Sequence, residues 1–437
     1  MIRFLYTILL YLCVPLILLR LLLRARKAPA YAKRWAERFG FFTPPPQWIS
    51  DRDQNNQKII WLHAVSVGET IAAAPLVDRL LMDDDSVGVI ITTTTPTGSE
   101  QVNKIFKIHI QNKRMFHVYA PYDLPDCIAR FLNKIKPDLF VIMETELWPN
   151  SIAQCIKKNI PVILANGRLS EKSAKGYRKI KWLIGKTFAQ LSFAAVQNKD
   201  DAERMMALGL KKECCEVTGN IKFDLAINDD IRKTAKNFKI HLNKTKQHII
   251  WIAASTHAGE DEIIIDVFKA AKLKINNLLL VLVPRHPERF SDVVTLSLSS
   301  GLHVQQRSHN ELLLDATDVL VGDTMGELLV FLGASDIAFI GGSFVPVGGH
   351  NVIEPAVWGL PILTGPHLFN FTEASQLLLA EDAMKIVNNA EQLKEMVVEL
   401  AEDKDLRQGM GDRARDVALG NRGALDKLFL AIKKRIV

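Results

Sequence analysis

Arg285 and Glu354 combine a permanently charged, forked hydrogen-bond donor with a carboxylate, the pair needed to hold a phosphate and the ribose attached to it. Residues 336–340 form a short apolar run, followed by Gly341-Gly342-Ser343-Phe344-Val345-Pro346-Val347-Gly348-Gly349-His350 and then Asn351-Val352-Ile353-Glu354-Pro355. The pattern predicts a strand, a glycine loop and a helix start. Gly341, Gly342, Gly348 and Gly349 let the backbone approach a ligand closely. Free N–H groups and the positive end of the helix would favour a phosphate. Asn351 suits the N-cap, and Pro355 is tolerated only in the first turn, which sets Glu354 within reach of a ribose. Two more loops follow apolar runs: Pro284-Arg285-His286 after 278–283, and Gly322-Asp323-Thr324-Met325-Gly326-Glu327 after 318–321. Met325 and Gly326 could border a flat base, with Glu327 beside them.

The N-terminal half offers a second set. Ser66 and Gly68, in His63-Ala64-Val65-Ser66-Val67-Gly68-Glu69-Thr70, either present N–H groups to an anion or cap a helix. Glu144 and Glu146 fall at the end of the run 139–143, where carboxylates are poor core residues and need partners. The residues alone do not separate these two. Lys222, in Gly219-Asn220-Ile221-Lys222-Phe223-Asp224, is a candidate counter-charge. Asp83-Asp84-Asp85 formally matches an Asp-x-Asp metal pattern but lies between a helical and a strand pattern, which reads as a solvated turn. His63, His257, His286 and His350 fall in separate loops without metal-ligand spacing, so no metal and no cofactor is expected.

Parallel strands must position these loops. Apolar runs of strand length at 58–62, 87–92, 139–143, 161–165 and 193–196 alternate with helical patterns such as 68–81 and 200–208. After a polar stretch at 220–247 the alternation resumes at 249–253, 278–283, 318–321, 336–340 and 361–363. The expected fold class is α/β, with two doubly wound, Rossmann-like domains whose ligands bind at strand C-terminal ends in an interdomain cleft. The expected boundaries are an anchor at 1–26, an N-terminal domain at 27–219, a linker at 220–247 and a C-terminal domain at 248–437.

The net charge is confined to one end. Of 437 residues with a formal net charge of +7, the first fifty hold Arg3, Arg20, Arg24, Arg26, Lys27, Lys33, Arg34 and Arg38 against the single acid Glu37, which accounts for the whole excess. A nucleic-acid footprint would be spread over the fold, so no nucleic-acid partner is expected. Residues 4–19 are uncharged and apolar, interrupted only by Pro15, and reach membrane-spanning length if Arg20 snorkels. The positive cluster follows the apolar run, unlike a cleaved signal peptide, and places the remaining chain on the cytoplasmic side of the inner membrane whether the segment spans or lies in the interface. An anionic membrane surface is therefore an expected partner. Five cysteines without metal spacing point to reduced thiols.

The glycine-loop constellation resembles the nucleotide-sugar site of GT-B glycosyltransferases. The loops at 63–70, Met143-Glu144-Thr145-Glu146-Leu147-Trp148-Pro149-Asn150, Pro284-Arg285-His286-Pro287-Glu288-Arg289-Phe290 and 322–327, in that order, resemble the 3-deoxy-D-manno-octulosonic acid (Kdo) transferases of lipopolysaccharide biosynthesis along essentially the whole chain. That resemblance implies a GT-B fold and inverting transfer from CMP-Kdo to a lipid A precursor. It implies CMP contacts at Pro284, Arg285, Met325, Gly326, Glu327, Asn351 and Glu354, with Ser66, Gly68, His286, Gly348 and Gly349 as further candidates. It also implies that Glu144 and Lys222 assist the transition state, and that Glu37, just past the anchor, is the proton acceptor. The rivals are a UDP-sugar transferase acting on a membrane lipid, a GT-B-type epimerase and a non-catalytic tethered binding protein. Deleting residues 1–23 is expected to release much of the protein from membranes while nucleotide binding persists, because the expected contacts all lie beyond residue 280. Fractionation at low and high salt checks this, since attachment through residual basic residues is salt-sensitive.

Overall fold

The computed structural model describes residues 2–46, 48, 57–225, 227–244 and 247–436. The chain divides into two compact units, Met1–Asp224 with Arg422–Val437, and Leu225–Asn421.

In the first unit, β1 (Lys58–His63), β2 (Val87–Thr93), β3 (Met115–Tyr119), β4 (Leu139–Met143), β5 (Val162–Gly167), β6 (Phe193–Val196) and β7 (Cys215–Val217) form a sheet in the order β3-β2-β1-β4-β5-β6-β7. Every ladder is parallel. Helices cover both faces, which is why the strands read as unbroken apolar runs. Alternate side chains feed separate cores: Ile59 and Trp61 enter one, Ile60 and Leu62 the other. Trp61 stacks on Phe140 of the adjacent β4, with ring centroids 3.7 Å apart.

The second unit repeats the scheme with β8 (Ile249–Thr256), β9 (Leu278–Pro284), β10 (Val304–Gln306), β11 (Val319–Val321), β12 (Ile337–Ile340), β13 (Ile362–Thr364) and β14 (Met384–Ile386), in the order β10-β11-β9-β8-β12-β13-β14. These ladders too are parallel. Chain order reverses direction across β1 and β4 in one sheet and across β8 and β12 in the other. Crevices at the carboxyl ends of such switch points are where open α/β sheets bind ligands.

Two expected boundaries are corrected. The stretch 220–247, of which 226 and 245–246 lie outside the described residues, is not simply a linker. It contains the helix Asp229–Leu242, capped by Asn228, whose Oδ1 accepts from the Ile231 N–H at 2.8 Å. That helix packs Phe238 against Phe331, 5.6 Å between centroids, within the second unit. The chain's last helix, Ala424–Lys433, belongs instead to the first unit, where Leu428, Phe429 and Ile432 join the core. Its apolar stripe completes a surface that the first unit leaves open, so burial overrides chain order.

Asp224 fixes that return. Its two carboxylate oxygens accept from the N–H groups of Gly423 at 2.6 Å and Leu425 at 2.7 Å, a remote N-cap for a helix whose own cap residue, Gly423, has no side chain. The three consecutive aspartates are also accounted for: Asp83 pairs with Lys433 at 2.5 Å, Asp84 accepts from Ser86, and Asp85 pairs with Arg114 at 2.7 Å. Asp224→Ala is expected to lower stability by about 0.5–2 kcal/mol, the range for a lost cap. Urea denaturation followed by tryptophan fluorescence measures it.

Candidate functional site

At the switch point of the second unit, β8 ends with Ser255 in the left-handed region at φ 58°. The turn that follows places Glu260 beneath the end of β12. Glu260 is fully buried, and its carboxylate is met by four main-chain donors. One oxygen accepts from His257 N at 2.9 Å and Gly342 N at 2.7 Å; the other accepts from Ser343 N and Phe344 N, both at 2.9 Å. The expectation that these loop N–H groups face a ligand phosphate is thereby corrected, because an internal anion already fills the nest. Gly341 is required for the same reason: a Cβ there would lie 2.7 Å from the Ser255 carbonyl oxygen and 3.0 Å from the Glu260 carboxylate. The close approach is to the chain itself. Gly342 adopts φ 68°, and its carbonyl accepts from Gly348 N at 3.1 Å and Gly349 N at 2.7 Å, closing the loop. A Cβ on Gly348 would strike the Phe369 ring. The following helix, Ile353–Trp358, has only six residues, too short for a strong dipole. Its formal cap is Val352, while Asn351 Oδ1 accepts from Ile353 N at 3.0 Å.

Above this base lie the side chains that could contact a ligand. Pro284 ends β9 and pairs with Thr256, and the next residue, Arg285, donates its N–H to the Thr256 carbonyl at 3.0 Å and leaves its side chain exposed. Burial raises the Glu354 carboxyl, opposed by a hydrogen bond from Asn351 and by the charge of Arg285. The cation and carboxylate paired on sequence grounds are thus electrostatic neighbours. His257 and His350 stack in parallel planes, share an Nε2 to Nε2 hydrogen bond of 2.8 Å, and have His286 against them at 5.3 Å from His257. Burial, with Arg285, His257 and His286 adding to it, pushes His350 down to about 4, and burial lowers His257 as well. A lowered histidine contributes stability that is present above its ordinary 6.5 and is lost as pH falls through the folded value. In the 322–327 loop, Met325 is exposed and Gly326, at φ 88°, has open space where a side chain would go. Glu327 is held by Arg307 at 2.9 Å and by the Thr324 hydroxyl.

The switch point of the first unit carries acids. Ser66 caps the helix Val67–Asp83: its Oγ accepts from Glu69 N at 3.2 Å and donates to Glu69 Oε1 at 2.9 Å, while Glu69 Oε2 accepts from Val65 N at 2.8 Å. Of the two readings of Ser66, capping is the one realised; Gly68 lies inside the helix. Glu144, at the end of β4, adopts φ 54°, a strained conformation for a non-glycine residue. It pairs with Arg168 at 3.0 Å and Lys222 at 3.5 Å, so the anticipated Glu144–Lys222 pairing is present. Lys222 is positioned through Asn220, whose Oδ1 accepts from Lys222 N at 3.1 Å, and through Asn166, whose Oδ1 accepts from Ile221 N at 3.1 Å. Glu146 instead accepts from the Trp148 indole at 3.3 Å.

Burial, reinforced by the charges of Glu144 and Glu146, raises Glu69 to about 7 in spite of the bonds from Val65 and Ser66. Glu37 lies elsewhere, at the end of the edge strand β3. Arg34 grips it with a fork of 2.6 and 2.8 Å, and Tyr119 N donates to it at 2.9 Å.

Residues 33–225 match the family model described as 3-deoxy-D-manno-octulosonic-acid transferase (kdotransferase). A 3-deoxy-D-manno-octulosonic acid transferase of Haemophilus influenzae is 43% identical over 99% of this chain and 98% of its own. The chain belongs to the Kdo transferase family. The corresponding transferase of Bordetella pertussis is 32% identical over 99% of both chains. A crystal structure of a UDP-GlcNAc 2-epimerase from Neisseria meningitidis shares the fold at 15% identity, with a TM-score of 0.56 over 86% of this chain and all of that one. The two parallel-sheet units are of the GT-B type.

Two residues of this Kdo transferase escaped the sequence reading. Glu69 lay inside a quoted motif, but its three-residue spacing from Ser66 gives a capping box that conceals its proximity to Glu144. Glu260 accepts from residues more than eighty positions away, and only its place after a strand end could have marked it. Glu260→Ala would strip four main-chain N–H groups of their acceptor, of which those of Gly342 and Ser343 are buried, each worth roughly 1–3 kcal/mol when left unsatisfied. The variant is expected to lose several kcal/mol of stability, checked by chemical denaturation; a loss below about 1 kcal/mol would contradict the assigned role.

Proposed function

We propose that the protein transfers Kdo from CMP-Kdo to the phosphorylated glucosamine disaccharide of a lipid A precursor, the tetraacyl-disaccharide 4′-phosphate. The reaction would invert the anomeric carbon and release CMP at the cytoplasmic face of the inner membrane. The observation that carries this reading is the Glu144–Lys222 pair at a strand switch point, with Glu144 strained at φ 54° and the Lys222 ammonium 3.5 Å from its carboxylate. In the proposed step the acceptor hydroxyl gives its proton to Glu37, its oxygen bonds to the anomeric carbon of Kdo, and the bond to CMP breaks with the electron pair leaving on the phosphate. Glu144 and Lys222 stabilise the transition state. Arg285 would hold the phosphate and Glu354 the ribose, with Met325 and Gly326 beside the base. The leaving monophosphate needs less charge compensation than a diphosphate, and we propose that no metal or cofactor takes part.

Glu37 is held by the Arg34 fork and the Tyr119 amide, just past the N-terminal helix, where the head of an embedded lipid would arrive. Glu37→Gln is expected to lower kcat by 10²–10⁴-fold, the usual cost of removing a general base, while changing stability by at most about 1 kcal/mol. Activity within about threefold of the parent would reject Glu37 as the base. The raised Glu69 carboxyl makes the folded state bind an extra proton, so Glu69 should subtract from stability as pH climbs from 4.5 past 7.

Arg285→Ala and Glu354→Ala are each expected to weaken CMP binding by about 1.5–3 kcal/mol. The Glu354 loss should largely vanish for the 2′,3′-dideoxy analogue in titration calorimetry. Incubation with CMP-Kdo and the lipid acceptor, followed by mass spectrometry, tests the reaction itself. Competition by UDP in place of CMP, or CMP release without lipid, would reject it.

A further inference from the structure

The N-terminal helix α1 (Ile2–Lys27) is long and apolar enough to cross a membrane, with a mean hydropathy of 2.2 over Arg3–Arg26. Its contacts indicate a different placement. Tyr6 donates its hydroxyl to Asp123 at 2.9 Å, Tyr11 donates to Asp126 at 2.5 Å, and Thr7 exchanges hydrogen bonds with Asn150 at 3.2 and 3.0 Å. Asp123 is a buried acid that already accepts from Asn150 N at 3.0 Å, Ser151 N at 2.7 Å and the Ser151 hydroxyl at 2.6 Å, at the start of the helix Pro149–Lys157. Tyr6 completes that network.

The two faces of α1 differ along its whole length. Tyr6, Thr7, Leu10, Cys13, Val14, Ile17, Leu18 and Leu21 recur at the helical period and are partly covered, Leu21 the most, to 9% exposure. Phe4, Leu5, Ile8, Leu9, Leu12, Leu16, Leu19, Leu22 and Leu23 occupy the other face, each at least 41% exposed. A spanning helix of this length, about 39 Å at ~1.5 Å per residue, would be wrapped in lipid on all sides. It would also carry Tyr6 and Thr7 to the far leaflet, away from Asp123 and Asn150.

From these contacts we infer that α1 does not cross the bilayer but lies in its surface, polar contacts toward the first unit and leucine face toward the acyl chains. The inference deepens the membrane reading above and rests on it. The occupant of the exposed face is an anionic lipid surface, fixed by charge complementarity. Arg3, Arg20, Arg24 and Arg26 are exposed on or beside the apolar stripe, at the level where phosphate headgroups meet an interfacial helix. A groove of about 440 Å³ between α1 and the body is lined by Arg3 and Lys186 together with Phe4 and Trp182, a composition suited to one headgroup.

The orientation is tested with a membrane-impermeant maleimide on intact spheroplasts of a Gram-negative host expressing full-length Arg3→Cys. The parent and Lys172→Cys, an exposed site on the first unit, run in parallel. Arg3→Cys and Lys172→Cys are expected to remain unlabelled until the cells are lysed, and then to be labelled alike. Labelling of Arg3→Cys alone in intact spheroplasts would establish a spanning helix and overturn the inference, leaving the transferase reading intact. A Thr7→Cys/Asn150→Cys pair should form an intramolecular disulfide when isolated membranes are oxidised; a pair that stays reduced also overturns it. Recovery of the parent in the soluble fraction would sink the membrane reading itself, a result that Kdo transfer to detergent-dispersed acceptor separates from loss of activity.

Discussion

A buried carboxylate requires donors, and in the second unit this requirement determines the shape of the loop at the strand switch point. Glu260 has no exposed surface, where an unmatched charge would cost several kcal/mol. Four N–H groups converge on it from two segments. To bring them together, the chain must turn sharply after β12, which only glycine permits at positions 341 and 342. The same turn sets His350 against His257. The carboxylate thus acts as a permanent internal substitute for the anion that a glycine loop usually binds from outside, and the loop is organised before any ligand arrives. A preformed loop spares the ligand the entropic cost of ordering it.

The first unit solves the related problem of chain ends. Its sheet leaves one surface uncovered by the helices that connect its strands, and the chain returns from the second unit to supply Ala424–Lys433. Asp224, at the point where the chain leaves, caps the helix with which it comes back. Exit and re-entry are therefore tied by a single side chain, and Arg79 over the Phe429 ring at 4.3 Å, with Lys433 paired to Asp83, secures the rest of the helix.

The central strands were legible because a parallel strand covered on both faces must be apolar along its middle, as β1, β2, β4, β8 and β9 are, with polar residues only at their ends. The edges were not. β7 (Cys215–Val217) and β10 (Val304–Gln306) are three residues long and partly exposed, so they carry too few apolar residues to stand out. β3 was obscured by His117, which faces Thr93 and Ser99 rather than the core. The helix Asp229–Leu242 was hidden by its charged face, and the membership of the last helix cannot be read from local pattern at all. Within the candidate site, Arg285, Glu354 and the Glu144–Lys222 pair were legible as charged residues at strand ends. The partners of Glu260 and the neighbours of Glu69 come from sequence-distant loops, and only folding brings them together.

The acids of this fold sort themselves by how many donors reach them. Glu260 is met by four main-chain N–H groups, and its role is architectural. Glu37 is met by the two arms of Arg34 and by an amide, a geometry that makes its charge part of a fixed contact. Glu69 has one amide and one hydroxyl on its oxygens, and faces two other carboxylates. With burial and like charge outweighing its donors, this last acid is pushed up to about 7. The proton affinity of a carboxyl is thus set by the balance of burial, like charge and donors, and Glu144, itself paired with Arg168 and Lys222, supplies part of the like charge that raises Glu69.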